Sequence, residues 1–214
     1  MMNTLRRYSP VSFAKKTIQT ERRDGWEVVL AYEDEGDAPY LVDLSHIKKW
    51  DVQDSDLSAI QPWGLQIPEL PGSCLFERGI LINRMNRTQA ACWHLIGDHV
   101  GQTDMAAFTE TTDAHLLLAI VGRELFAMME KLCGLDFGSP KMHYPCLFQA
   151  PVLRVPCQIV LLGQSNNVFA MLLACSRGYG YSMVEGLLHA GDEWGLHPAG
   201  ERAFTNWMGM VKIH

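Results

Sequence analysis

Apolar positions along the chain recur mostly at the period of strands. The stretch 26–32 is rich in β-formers and closes in the acidic turn 33–37. Partial alternation over 41–47 and 49–52 predicts two more strands, and Asp54, Ser55 and Asp56 supply caps for a short helical turn through Leu57 and Ile60. Three prolines and two glycines make 62–72 a loop, after which 75–76, 79–85 and 89–96 read as paired strands with a turn at Asn86 and Arg87. In the second half, 114–121 is a buried strand leading into a helix over 123–133. That helix places Leu125, Met128, Met129 and Leu132 on one face and is capped by Gly134. Two strands, 145–162 and 168–175, are joined by a turn over 163–167. Ser182 and Glu185 have the spacing of a capping box, so a helix is expected to start there, bury Met183, Leu187, Leu188 and Trp194, and stop at Gly195. The stretch 203–213 reads as a strand or turn. Together these elements give an α+β chain of two β-α-β-β units, about 25–110 and 111–214, in one compact body.

Ahead of that body, 1–24 is polar and basic, with Arg6, Arg7, Lys15, Lys16, Arg22 and Arg23, and shows no sustained period. It reads as a solvated tail or as an arm that clasps a partner. Over the whole chain, 18 Lys and Arg against 24 Asp and Glu leave a net charge of −6, which argues against a nucleic-acid binder. A hydrophobic fraction of 48% with 20% charged residues is that of a globular core, not of a disordered chain. The longest apolar run, 168–175, is far short of the roughly 18–20 residues that cross a bilayer, and no apolar block follows the N-terminal charges. No membrane association and a cytoplasmic location are expected. The cysteines at 74, 92, 133, 146, 157 and 175 are irregularly spaced and form no C-x-x-C, so they read as small hydrophobes rather than a disulfide framework or zinc site.

Generic catalytic signatures are absent. The sequence has no G-x-S-x-G, H-E-x-x-H, Walker loop or G-x-G-x-x-G after a strand. Ser45 and His46 are adjacent, and neighbours on a strand face opposite ways, so they do not make a nucleophile and base. His94, Asp98 and His99, with Asp113 and His115 elsewhere, have no metal-ligand spacing, and no metal is expected. The junction 175–182 is more informative. Two glycines there let backbone approach a ligand, Arg177 offers a fork to a carboxylate or phosphate, and Tyr179 and Tyr181 offer rings to a planar heterocycle. A plain strand-to-helix turn with an exposed arginine accounts for the same residues.

The run Arg177-Gly178-Tyr179-Gly180, the helix through Leu187, Ala190 and Gly191, and the following Gly195-Leu196-His197-Pro198 with Gly200-Glu201-Arg202 resemble the aminomethyltransferase (T protein) family of the glycine cleavage system. Asp43-Leu44-Ser45-His46 and the strand 116–121 followed by Gly122 are similar to further segments of that family. The chain is much shorter than those enzymes, and it lacks both their glycine-rich Asp motif and the Thr-Gly-Glu after Gly-Tyr. In length it is more similar to the gamma subunit of heterotetrameric sarcosine oxidase, a structural companion of flavin- and folate-carrying chains. The resemblance implies an aminomethyltransferase-like, folate-binding type of fold, and a mainly structural or binding subunit that docks on a larger one-carbon enzyme. It alternatively implies a small tetrahydrofolate-dependent methyl or aminomethyl transferase. In that case Arg177 and Arg202 would anchor the glutamyl tail, Tyr179 would line the pterin pocket, and Asp43 or Asp113 would handle the proton. An unrelated α+β binding module is the third reading, and proteolysis into two stable fragments near residue 110 would favour it over a single intertwined body.

Overall fold

The computed structural model describes residues 5–97, 101, 106–138 and 143–211. Its strands in chain order are β1 (Thr17–Arg23), β2 (Trp26–Tyr32), β3 (Tyr40–Asp43), β4 (Lys49–Gln53), β5 (Cys74–Glu77), β6 (Ile80–Arg84), β7 (Gln89–His94), β8 (Phe108–Glu110), β9 (His115–Gly122), β10 (Cys146–Val152), β11 (Val155–Ser165), β12 (Val168–Ser176) and β13 (His197–Ala199). The helices are α1 (Leu125–Glu130), α2 (Gly180–Gly191) and α3 (Glu201–Met210), with single 3-10 turns elsewhere. A hairpin β1-β2, a six-stranded sheet β10-β11-β12-β9-β3-β13 and a five-stranded sheet β5-β6-β7-β4-β8 result.

The side-chain alternation of β9 explains the layering. It is apolar on both faces, the pattern of a strand covered on both sides. Leu117, Ala119 and Val121 meet Leu81, Ala91 and Trp93 of the five-stranded sheet in the central core, while Leu116, Leu118 and Ile120 face Met128, Met129, Met183 and Leu187 of α1 and α2. The outer face of the five-stranded sheet is closed by Leu57, Leu65 and Ile67 from the Pro- and Gly-rich connection. Helix α3 adds Phe204, Trp207 and Met208 to the central core. Each such side chain contributes about 1.5–3 kcal/mol by leaving water.

Several elements differ from the sequence reading. The first half contains no α-helix among its described residues, only 3-10 turns such as Leu57–Ala59, which Asp56 caps as expected. The halves also share a sheet, because β3 pairs with β9 and with β13, so no separate first β-α-β-β unit exists. The expected strand 41–47 stops at Asp43, where a turn carries the chain from one sheet to the other. The expected strand 145–162 is two strands, split by a hairpin in which Leu153 and Arg154 take the left-handed region at φ 51° and 66°. The turn between β11 and β12 falls on Asn166 and Asn167 as its residues suggested.

Helix α2 begins at Gly180, without a capping box: Tyr181 donates to Glu185 Oε1 at 2.5 Å in place of the reciprocal serine bond. Gly195 closes the following turn at φ 74°. The stretch read as strand or turn from 203 is helix α3, and Ile213 lies outside the described residues. Nor is 1–24 a solvated tail throughout, since 17–23 is β1, held by backbone pairing with β2.

Candidate functional site

Asp43, at the end of β3, is half-buried and fully engaged. Its Oδ1 accepts from Ser45 N at 2.9 Å and Ser45 Oγ at 2.6 Å, and its Oδ2 accepts from Ser9 Oγ. Ser45 is therefore bonded to Asp43 rather than to His46. Asp113 is exposed and pairs with Arg7 Nε at 3.3 Å. Arg177 leaves the end of β12, donates to the Tyr8 carbonyl, and lies with its guanidinium carbon 5.8 Å from the Trp26 ring centre. Three residues far apart in sequence thus hold the consecutive residues Arg7, Tyr8 and Ser9. Pro10 then lies on Gly180, so tightly that a Cβ there would come within 2.7 Å of the Pro10 carbonyl oxygen. Val11 and Phe13 continue onto the helical side of the core. The segment roofs a cavity of about 100 Å³ lined by Ser9, Phe13, Trp26, Tyr32, Asp43 and His46.

The other residues carried over from the resemblance do not join this group. Tyr179 is the residue before α2 and is 48% exposed. Arg202, on α3, donates to Gln19 Oε1 at 2.8 Å. Gln19 is opposite Ala31, near the other end of β2 from Trp26, so the anchor points of Arg177 and Arg202 lie about 15 Å apart along the strand.

A second constellation was not singled out in the sequence. Glu201, in the first turn of α3, accepts from Arg23 Nη1 through both oxygens, at 2.8 and 2.6 Å, and its Oε1 lies 2.8 Å from His46 Nε2. Burial raises the Glu201 pKa, but the hydrogen bonds and charges of His46 and Arg23 outweigh it, and the carboxyl is held below its ordinary value. His46 and Glu201 line an open basin of about 650 Å³ with Arg22, Lys48, His94 and Thr205. His94 therefore belongs to this basin, while Asp98 and His99 lie outside the described residues. Among the described residues no group of three His, Cys, Asp or Glu side chains is placed to hold a metal ion.

A third region lies between the sheets. Two cavities of about 230 and 470 Å³ share His115, Gln158 and Ala174 as lining. Burial holds the His115 imidazole below its ordinary pKa. At its edge Lys49 is 1% exposed, and burial lowers its pKa to about 7. The Lys49 amine is occupied, donating to the Ser45 and Ile47 carbonyls at 2.8 Å each, so it closes the β3-β4 turn rather than offering a free base.

The chain is similar in fold to a chain of heterotetrameric sarcosine oxidase. That structure, from Corynebacterium sp. U-96 in complex with pyrrole 2-carboxylate, matches with a TM-score of 0.59 at 12% identity, over 72% of this chain and 84% of that one. The matched part is the larger share of the sarcosine oxidase chain, which is accordingly the shorter of the two. No protein-family model matches the chain, and no curated protein matches its sequence. Likeness at this identity speaks to the fold, a mixed α+β body built mostly of sheets. No described helix is long and apolar enough to cross a membrane.

The signal that could have pointed to Glu201 was present. It sits inside the Gly200-Glu201-Arg202 segment, where the arginine drew attention, and a carboxylate just past a glycine N-cap suits the first turn of a helix. The grip on residues 7–9 had no local signal, because each partner is distant in sequence.

Proposed function

We propose that the chain is a non-catalytic subunit of a one-carbon enzyme system, docked on a larger partner chain. The observation that carries this reading is the engagement of Asp43, Asp113 and Arg177 with the chain's own residues 7–9. A carboxylate that must move a proton, or an arginine that must take a folate tail, is poorly placed when an internal segment already uses it. Arg177, Tyr179 and Arg202 also line neither the basin nor the inter-sheet cavities, so the residues do not fit a common tetrahydrofolate site. The fold shared with a chain of a heterotetrameric enzyme is consistent with a subunit role.

The docking surface is the ground around the N-terminal segment and the start of α2. Leu5, Tyr8, Tyr179 and Tyr181 are 84%, 62%, 48% and 68% exposed there. Arg6 stacks on Tyr8 with 5.3 Å between guanidinium carbon and ring centre. Tyrosine and arginine are the residues that anchor protein interfaces. The basic arm itself is largely spent on this chain, with Arg7 on Asp113, Lys16 on Glu33 and Arg23 on Glu201. Aromatic surface, rather than a free basic arm, is what remains for a partner.

Calorimetric titration with tetrahydrofolate tests the reading. The expected result is no binding at millimolar ligand. Binding that disappears in Arg177→Ala would overturn it in favour of a folate-dependent transferase. As a second test, the chain isolated from its own cells should bring down a larger chain in fixed stoichiometry, and Tyr179→Glu with Tyr181→Glu should abolish this. A strictly solitary chain would count against the subunit role.

A further inference from the structure

Strands β11 and β12 run antiparallel with Gln158 opposite Ala174, so the next pair outward places Cys157 opposite Cys175. Both side chains lie on the helical face of the sheet. Directly opposed residues of an antiparallel pair have Cα atoms about 4.5–5.5 Å apart. A disulfide needs roughly 4.4–6.8 Å. Cys157 Sγ donates to the Val155 carbonyl at 3.2 Å and Cys175 Sγ to the Ser176 carbonyl at 3.6 Å, and the two thiols are close enough to shift each other's titration. Both thiols are buried, Cys157 at 5% and Cys175 at 3% exposure, and the inter-sheet cavity of about 470 Å³ adjoins the same strand pair on its other face, beside Gln158 and Ala174.

We propose that Cys157 and Cys175 are a reversible dithiol–disulfide pair, a modification site for hydrogen peroxide. The chemistry balances with peroxide as the named oxidant. The Cys157 sulfur attacks one peroxide oxygen, the O–O bond breaks, and a sulfenic acid and one water form. The Cys175 sulfur then attacks the sulfenic sulfur, the S–S bond forms, the S–O bond breaks, and a second water leaves. Two thiols together lose two protons and two electrons, and hydrogen peroxide takes them up as two waters.

The assignment of Cys157 as the first sulfur to react follows from its surroundings. Interaction with the Cys175 thiol lowers the Cys157 pKa despite burial, and the same interaction raises that of Cys175. A second pair of neighbours, Cys74 and Cys146, provides an internal contrast. Burial pushes both thiols up, Cys146 to about 11, and Cys74 Sγ donates to Asn83 Oδ1 at 3.2 Å. Nucleophilic thiolate is therefore scarce at that pair. The Cys157–Cys175 link would staple the end of β12 two residues before Arg177, which holds Tyr8.

The test is mild hydrogen peroxide on the full native chain, followed by thiol counting and non-reducing peptide mapping. Two of the six cysteines should be lost, with one linked peptide joining 157 to 175 and full recovery on addition of dithiothreitol. Phenylarsine oxide, which needs two adjacent thiols, should bind the untreated chain once and protect it. In Cys175→Ser, dimedone should label Cys157 as the trapped sulfenic acid. In Cys157→Ser, the remaining thiols should stay intact. Six thiols surviving in the native chain while the urea-unfolded chain is oxidised would overturn the proposal. So would a link between Cys74 and Cys146 in place of the 157–175 link. If either serine variant fails to fold, the wild-type peptide map and the arsenical decide alone.

Discussion

The N-terminal hairpin is held at two places that differ in how far water reaches them. Near the start of β2 the body holds residues 7–9 mainly through groups at the surface: Asp113 is 54% exposed in its pair with Arg7, Arg177 contributes a bond to a backbone carbonyl, and only Asp43, which accepts from Ser9, is half-buried. At the other place Glu201 grips Arg23 and His46, with the His46 and Glu201 side chains only 10% and 12% exposed. Exposed ion pairs contribute about 0–1 kcal/mol. Removing one partner of a buried, hydrogen-bonded set leaves the others uncompensated and costs more. The surface grip is thus suited to being exchanged for another contact, whereas the Glu201 grip is part of what fixes the hairpin to α3. This difference separates a surface a partner can remodel from one it cannot.

The largest effect should come from closing the space on which the fixed grip depends. A Cβ on Gly200 would come within 2.3 Å of the Leu30 carbonyl and 2.5 Å of Ala31 N, backbone atoms that cannot rotate away. Gly200→Ala should therefore cost about 3 kcal/mol or more, at the top of the overpacking range. Denaturant unfolding measures it, and a loss under about 1 kcal/mol would show that β2 and α3 move apart freely. Next comes Glu201→Gln, which keeps the shape and removes the charge. A loss of about 1–3 kcal/mol is expected at neutral pH. Because the folded-state pKa of Glu201 is lowered, its contribution is fully present above the ordinary carboxyl value of 4.5 and is lost as pH falls through the folded value. The gap between variant and wild type should therefore narrow in acid. A gap independent of pH would mean that lost packing, not charge, is responsible.

Much of this contrast was readable in advance on one side only. Strand β9, the Asn166-Asn167 turn and the Asp56 cap are local devices, in which a few neighbouring residues settle the backbone. Strand β1 is exposed along nearly its whole length, so no apolar alternation marks it, and only its pairing with β2 makes it a strand. Helix α3 did carry a signal, Phe204, Trp207 and Met208 at helical spacing, but within a polar stretch short enough to pass for a turn. The resemblance to aminomethyltransferases drew attention to Asp43, Asp113 and Arg177, and the structure brings all of them to one place. What no motif could disclose is that the segment they meet there is the chain's own N-terminus.

The surface grip can be loosened without touching the core. Arg177→Ala or Asp113→Asn should lower global stability by less than about 1 kcal/mol. Gly180→Ala should act similarly, since the added methyl meets Pro10 of the displaceable segment and not the body. In each variant limited proteolysis between residues 7 and 13 should accelerate several-fold, while the rest of the chain stays resistant. Unchanged cleavage in all three would show that Val11 and Phe13 hold the segment without help from the polar contacts.

The smallest effect at neutral pH, and the most selective, concerns Lys49, whose buried amine feels Asp43, Asp113 and Arg177 at once. Protonated Lys49 is a burden on the folded state, because burial lowers its pKa from 10.5 to about 7. Below pH 7 the amine is charged in both folded and unfolded chains, so the penalty is complete and constant. Between pH 7 and 10.5 the unfolded chain binds the extra proton, and stability attributable to this residue rises with pH. Lys49→Met removes the penalty together with the bonds to the Ser45 and Ile47 carbonyls, so the two losses offset and the net change at pH 7 should be small. The change with pH should not be small. Wild type should gain on the variant by up to about 1.4 kcal/mol per unit across that window. Other thiols and phenols that titrate there cancel, because both proteins carry them. If paired unfolding curves at pH 7 and 9.5 showed a constant difference, the amine would be charged in the folded chain, and the turn between β3 and β4 would hold a cation balanced by Asp43 and Asp113.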